Sequence, residues 1–257
     1  MAPEASIALL LVVLGGMVAT NGMRDAREYR ARQRATLARD TTVTAEQRAR
    51  GVTRRGVGPA TQQTPPAELR RRVANLASGT YVGDILEQQD STLYRWPERL
   101  SDAVRVYIEP SSGLPAWDPR LPALTRAVFD EWSEAGFPVR FAFVYDSAGA
   151  DMSVHWVDRF AAEEGQRIGV TERLQTSQFL IAHARISIAL NDSTGHPLPP
   201  AVVGGIVRHE VGHALGLNHA SDPSSVMYRE AATYTLSASD RATLRLLYLV
   251  PPGSLKD

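Results

Sequence analysis

The hydrophobic pattern opens with an apolar run over residues 7–20 (IALLLVVLGGMVAT), and no charge falls between Glu4 and Arg24. With its neutral flanks (residues 5–23) the run approaches the ~20 residues that a membrane-spanning helix needs. It also suits the core of a signal peptide, although an acid precedes it and no clean small-x-small cleavage site follows. Residues 1–23 therefore read as an N-terminal anchor or signal segment. Residues 24–66 are Arg-rich and low in complexity, and 41–66 hold almost no bulky apolar side chain. Such a stretch cannot bury enough surface to offset its ordering entropy, so it reads as a linker.

Beyond Pro66 the pattern turns periodic. Residues 67–91 form a helical pre-segment, with a helix over 67–89 interrupted near Ser78-Gly79. From residue 92 to 257 the chain reads as a compact domain. Strands are expected at 104–108, 139–145, 152–157, 167–174 and 184–190, from alternating or short continuous apolar runs. Helices are expected at 121–135, which Gly136 ends, and at 201–215, which Pro199 and Pro200 start and Gly216 stops. A last helix over 238–250 opens with Ser237 and Asp240 at capping-box spacing. This is an α/β (α+β) pattern.

Charge adds an asymmetry that the totals conceal. The chain has 257 residues with 28 Lys+Arg and 28 Asp+Glu, a formal net charge of zero. Yet residues 24–72 carry 13 Arg against five acids, so a basic arm precedes an acidic-leaning body. No aromatic residue interleaves with the arginines after Tyr29, which argues against nucleic-acid binding. A solvated spacer is the first reading of the arm, and attraction to anionic lipid headgroups the second. The chain contains no Cys, which excludes disulfide frameworks, zinc–thiolate sites and thiol catalysis. Any metal must sit on His or carboxylates.

The chemistry concentrates in His209-Glu210-Val211-Gly212-His213-Ala214-Leu215-Gly216-Leu217-Asn218-His219. His209 and His213 are four apart, so on a helix their imidazoles share one face, as two ligands of one Zn²⁺ require. Glu210 follows the first ligand and stands beside the metal as the candidate catalytic base. Gly216 permits a turn that returns the chain and presents His219 as third ligand. Three imidazoles leave a fourth position open, the arrangement of a catalytic zinc. Met227, in Ser225-Val226-Met227-Tyr228, reads by itself as core packing. His155, His183 and His196 have no partner at ligand spacing and read as core or surface residues.

The spacing of His209, Glu210, His213, Gly216 and His219 with Met227 downstream is the metzincin signature. The segment VRHEVGHALGLNHASDPSSVMY resembles the active-site stretch of matrixins, the matrix-metalloproteinase branch. Tyr94-Arg95-Trp96, Ala150-Asp151-Met152 and Leu236, Asp240, Leu247 and Tyr248 extend the resemblance along residues 92–257. The resemblance implies a twisted five-stranded mixed sheet, parallel but for one antiparallel edge strand. An active-site helix and a backing helix pack on it, and a small C-terminal subdomain carries the Met-turn and the final helix. It implies a zinc metalloendopeptidase with one catalytic Zn²⁺, calcium by family analogy only, and a protein or peptide substrate bound along the edge strand at 167–174. Residues 221–232 would form part of the pocket beyond the scissile bond, and Met227 a structural floor under the metal.

Three features depart from the family. A cysteine switch cannot exist without Cys. The structural-zinc loop has no convincing counterpart between Asp158 and Ile186. Arg229 follows Tyr228 where vertebrate members commonly have Pro. A prokaryotic minimal member fits these absences.

The expectation is a monomer, membrane-anchored or secreted and extracytoplasmic. The Arg cluster after the apolar run would instead favour the cytoplasmic side under the positive-inside rule. The alternative function is a catalytically silent metzincin-fold zinc protein, acting as a membrane-tethered binding or scaffold module.

Overall fold

The computed structural model describes residues 63–98, 102–161, 167–230 and 233–257. The apolar run at 7–20 and the Arg-rich arm lie outside the described residues. Among the described residues no helix is long and apolar enough to cross a membrane.

The pre-segment forms two helices, α1 (Pro66–Leu76) and α2 (Val82–Gln88), parted where Gly79 takes φ +71°. Leu69 and Val73 of α1, and Val82 and Ile85 of α2, are buried in the main core. A two-residue strand, β1 (Thr92–Leu93), follows. Next comes a β–α–β unit: β2 (Val104–Ile108), α3 (Leu121–Ser133) and β3 (Phe141–Val144). Its strands are parallel, Val104 opposite Phe141 and Tyr107 opposite Val144, as a helical crossover demands. The remaining strands of the sheet are β4 (Met152–Val157), β5 (Gly169–Gln175) and β6 (Ile181–Ala189).

These five strands run in the order β3-β2-β4-β6-β5. The β2/β4 and β4/β6 pairs are parallel, and β5 closes one edge antiparallel to β6. The mixed sheet with one antiparallel edge strand thus matches the expectation. Boundaries shift modestly. The strand expected at 139–145 shortens to the four residues that find partners on β2. The strand expected from residue 184 starts at Ile181, because Gln175 pairs with Ile181 across a register shift after Leu174.

One face of the sheet is apolar. Val104, Val106, Met152, Val154, Ile186 and Ile188 are all at most 1% exposed. Covering them are α3, through Val128, Phe129 and Trp132, and α4 (Pro200–Ala214), through Val203, Ile206, Val207 and Val211. Phe129 meets Phe141 edge-on at 5.0 Å between ring centroids, a geometry that favours aromatic pairs beyond simple area burial. The chain ends with α5 (Ala238–Leu249) and β7 (Gly253–Ser254), which pairs antiparallel with β1. The Ser237/Asp240 capping box that starts α5 is formed on both sides.

The C-terminal carbonyls of α4, which a helix cannot satisfy internally, are taken up by two distant side chains. Trp96 Nε1 donates to Ala214 O at 2.9 Å and Tyr248 Oη donates to Leu215 O at 3.0 Å. That end of α4 is therefore pinned by residues from both ends of the domain.

Candidate metal centre

Helix α4 carries His209 and His213 on one face, their ring centroids 4.6 Å apart. After Ala214 the helix cannot continue. Gly216 sits at φ +110°, and a Cβ there would lie 2.4 Å from the backbone oxygen of Tyr94. Both the dihedral and the close approach require glycine. Gly216 N donates to His213 O and Leu217 N to Gly212 O, each at 3.0 Å, so the turn is hydrogen-bonded as well as glycine-permitted. The returning chain brings the His219 ring to 4.8 Å from that of His213 and 5.3 Å from that of His209. One ligand atom from each of the three imidazoles lies within 4.8 Å of the others, and among the described residues this is the group able to hold a metal.

The donor set fits Zn²⁺. His209 Nδ1 pairs with Val226 O at 2.8 Å and His213 Nδ1 with Leu217 O at 3.0 Å. A carbonyl partner makes each Nδ1 the donor, which leaves Nε2 as the lone-pair nitrogen for a metal. Burial pushes His213 well below the usual imidazole value and His219 down to about 3. The neighbouring imidazoles add to the shift, and His209 is lowered chiefly by burial too. All three are therefore neutral near pH 7, the protonation state that ligation needs.

Glu210 is 5% exposed, and burial raises its carboxyl to about 7. Thr171 on β5 opposes that rise: its Oγ1 lies 2.6 Å from Glu210 Oε2 and 2.9 Å from Glu210 O. On the other carboxylate oxygen the space is left by Gly169, where a Cβ would come within 2.5 Å of Glu210 Oε1. Two residues beyond Thr171, Arg173 donates to His213 O at 3.0 Å and to Asn218 Oδ1 at 3.1 Å. The edge strand thus grips both the carboxylate and the turn that leads to the third imidazole.

Met227 is fully buried and packs against α4 at Gly212. A Cβ on Gly212 would stand 2.3 Å from Met227 Sδ, so the absence of a side chain at 212 lets α4 rest directly on the thioether. Asp240, also fully buried, holds the preceding residues in place. It accepts from Ser225 Oγ at 2.5 Å and Val226 N at 3.0 Å while capping α5 through Ser237. Since Val226 O is the partner of His209 Nδ1, the chain of contacts runs from α5 through the turn to the first imidazole.

The sequence profile of the matrixin family matches residues 112–249, more than half of the chain. The chain belongs to the matrixin family. A matrilysin of Felis catus is 44% identical over 48 residues, which is 17% of this chain and 18% of that protein. "Probable matrix metalloproteinase 095L" of Invertebrate iridescent virus 3 is 43% identical over 51 residues, 19% of this chain and 14% of that protein. The chain therefore spans less than a fifth of the length of these curated relatives. Among solved structures, the GM1-bound form of the ECX AB5 holotoxin aligns at a TM-score of 0.44 and 14% identity. It covers 65% of this chain and 88% of that one, too remote a likeness to bear on fold or function.

Within this matrixin, α1, α2, β1 and β2 precede the matched stretch. The other histidines stand apart from the three-imidazole group. His155 lies 3.7 Å from Glu109, and His196 Nδ1 contacts Thr194 Oγ1 at 2.6 Å. Sequence reasoning passed over Thr171 and Arg173, because strand residues that touch a helix across the fold carry no spacing signal. Asp240 was legible as a cap but not as the support of the Met-turn.

Proposed function

We propose that this matrixin is a zinc metalloendopeptidase, with His209, His213 and His219 as the metal ligands and Glu210 as the catalytic base. The observation that carries the reading is the convergence of three neutral imidazoles within 4.8 Å, with Glu210 buried beside the first of them. When bound there, Zn²⁺ supplies a Lewis acid that lowers the pKa of water toward ~7 and polarises the scissile carbonyl. Glu210 takes the proton from the attacking water and passes it to the leaving amine. Thr171 Oγ1 holds Oε2 during that cycle, so the carboxylate is oriented before substrate arrives. Met227 is the apolar floor that keeps water and other donors from beneath the site, and Gly216 is the turn that delivers the third ligand.

The peptide substrate pairs with the open edge of β5. Among the described residues that strand has one neighbour, β6, and so offers backbone donors and acceptors on its other side. Its direct contacts to Glu210 and His213 put an added strand next to the reacting atoms. The segment preceding the catalytic unit, with its apolar run at 7–20, carries the protein to a membrane or through it. The enzyme acts there as a monomer.

Exchanging Glu210→Gln tests the assignment. The variant is expected to bind one equivalent of zinc while losing most cleavage of a quenched-fluorescent peptide library. A chelator should abolish wild-type cleavage, and zinc should restore it. Wild-type rates in Glu210→Gln would refute the role of the carboxylate. A wild-type protein that binds zinc yet cleaves nothing would favour the binding or scaffold reading.

A further inference from the structure

Two of the three imidazoles are oriented through their own ring nitrogens, by Val226 O and Leu217 O. The third, His219, lies on a loop beyond the end of α4, where the helix no longer dictates its place. That loop is held from outside the stretch that matches the matrixin profile. Gln88, the last residue of α2, donates from Nε2 to His219 O at 2.7 Å. One turn earlier, Asp84 Oδ2 accepts from Ser221 N at 2.7 Å. Gln89 Nε2 reaches Gly216 O at a longer 3.5 Å. Residues 84 and 88 are four apart, so they project from one face of the helix and grip the backbone on both sides of Ala220. A cleft of about 310 Å³ opens between them and the loop, with His219 on its wall.

Helix α2 itself is firmly seated. Val82 and Ile85 are 4% and 0% exposed, and Tyr81 N donates to Thr243 Oγ1 on α5 at 3.0 Å. Just beyond it, Ser91 O accepts from Leu255 N at 2.8 Å, and β1 pairs with β7. A helix anchored in this way transmits its position to whatever its exposed polar face touches.

We propose that Asp84 and Gln88 are positioning residues for His219: α2 clamps the third-ligand loop and pre-organises it for metal capture. The proposal rests on the zinc-peptidase reading above. It makes the pre-segment through residue 91 a working part of the metal centre, so its removal would weaken the site rather than release an inhibited enzyme. Outer partners of metal ligands, when lost, typically lower metal affinity 10–100-fold. Both contacts are on the exposed side of the loop, so the lower end of that range applies.

The experiment measures Zn²⁺ affinity of the full chain by competition with a chromophoric chelator, alongside the visible absorption of the Co²⁺-loaded protein. Asp84→Ala/Gln88→Ala is expected to bind zinc about tenfold more weakly, with altered Co²⁺ bands. Its metal-free melting temperature should stay close to that of wild type. Asp84→Asn, which keeps an acceptor oxygen for Ser221 N, should remain within about twofold of wild-type affinity. Zinc binding by the double variant within twofold of wild type overturns the clamp, as does an Asp84→Asn that weakens binding as much as the double variant. Should the double variant unfold, Gln88→Met keeps the apolar stem without the donor, and wild-type affinity in that folded protein overturns the clamp equally. A wild-type chain that binds no zinc at all would instead defeat the peptidase reading.

Discussion

Gly212→Ala sets helix propensity against packing, and the distances decide between them. Gly212 lies inside α4, between two of the imidazoles, where replacing Gly by Ala ordinarily favours the helix by about 1 kcal/mol. Here the new Cβ would sit 2.3 Å from Met227 Sδ and 3.1 Å from Trp132 Cζ2. Carbon and sulfur pack no closer than about 3.5 Å, so the thioether must retreat by more than about 1 Å. Met227 and Trp132 are both fully buried and have no solvent to move into. Overpacking against two immobile buried side chains falls at the upper end of its usual range, about 2–3 kcal/mol, which outweighs the propensity gain and leaves a net loss of about 1–2 kcal/mol. Urea unfolding with chelator present measures this without metal linkage entering the result. Met227→Ala alone is expected to cost about 2–5 kcal/mol, because it leaves a cavity. In that background, however, Gly212→Ala meets no sulfur and should stabilise by up to about 1 kcal/mol. The change of sign, a coupling of about 2 kcal/mol or more, is the signature of direct contact. A Gly212→Ala protein as stable as wild type, or one whose cost is unchanged by removing Met227, would refute the reasoning.

Three further outcomes follow from the same contacts. Thr171→Val removes the hydroxyl at 2.6 Å from Glu210 Oε2 while keeping its shape; kcat for a short peptide should fall about tenfold, with KM little changed, given ~1.5–3 kcal/mol for a hydrogen bond to a charged group. Asp240→Ala strands Ser225 Oγ, Val226 N and Ser237 N and should cost about 3 kcal/mol or more in urea unfolding, with weaker zinc binding because His209 loses its support. The metal-free protein should lose stability on acidification from pH 6.5. His213 and His219 are neutral when folded but take up protons when unfolded. Their stabilisation is present above 6.5 and is lost as pH falls towards their folded values. Glu210, raised to about 7, contributes with the opposite sign between pH 4.5 and 7. His213 and His219 against one carboxyl leave a net slope of about 1.4 kcal/mol per pH unit, the lowered His209 adds in the same direction, and a metal-free protein more stable at pH 5 than at pH 7 would contradict it.

The residues proposed to bear the chemistry announce themselves locally. His209 and His213 share a helix face because of 3.6-residue periodicity, and Gly216 stops that helix because its φ of +110° suits no other residue. Both were readable before any fold was known. The strands at 104–108 and 152–157 and the capping box at Ser237 were likewise legible, since each depends on neighbours within a few positions. Sequence alone therefore carried the three-histidine pattern and the α/β class, and its resemblance to matrixins carried the five-stranded sheet and the family. The tertiary structure alone decided what surrounds them. Thr171 reaches Glu210 from a strand 39 residues away, Asp240 supports the turn beneath His209, and α2 holds the loop of His219 across 131 residues. Each of these side chains also ends on a distant backbone group: Thr171 on Glu210 O, Asp240 on Val226 N and Gln88 on His219 O. A backbone carbonyl or amide has no residue identity, so no spacing in the chain encodes its partner, and only packing brings the two together.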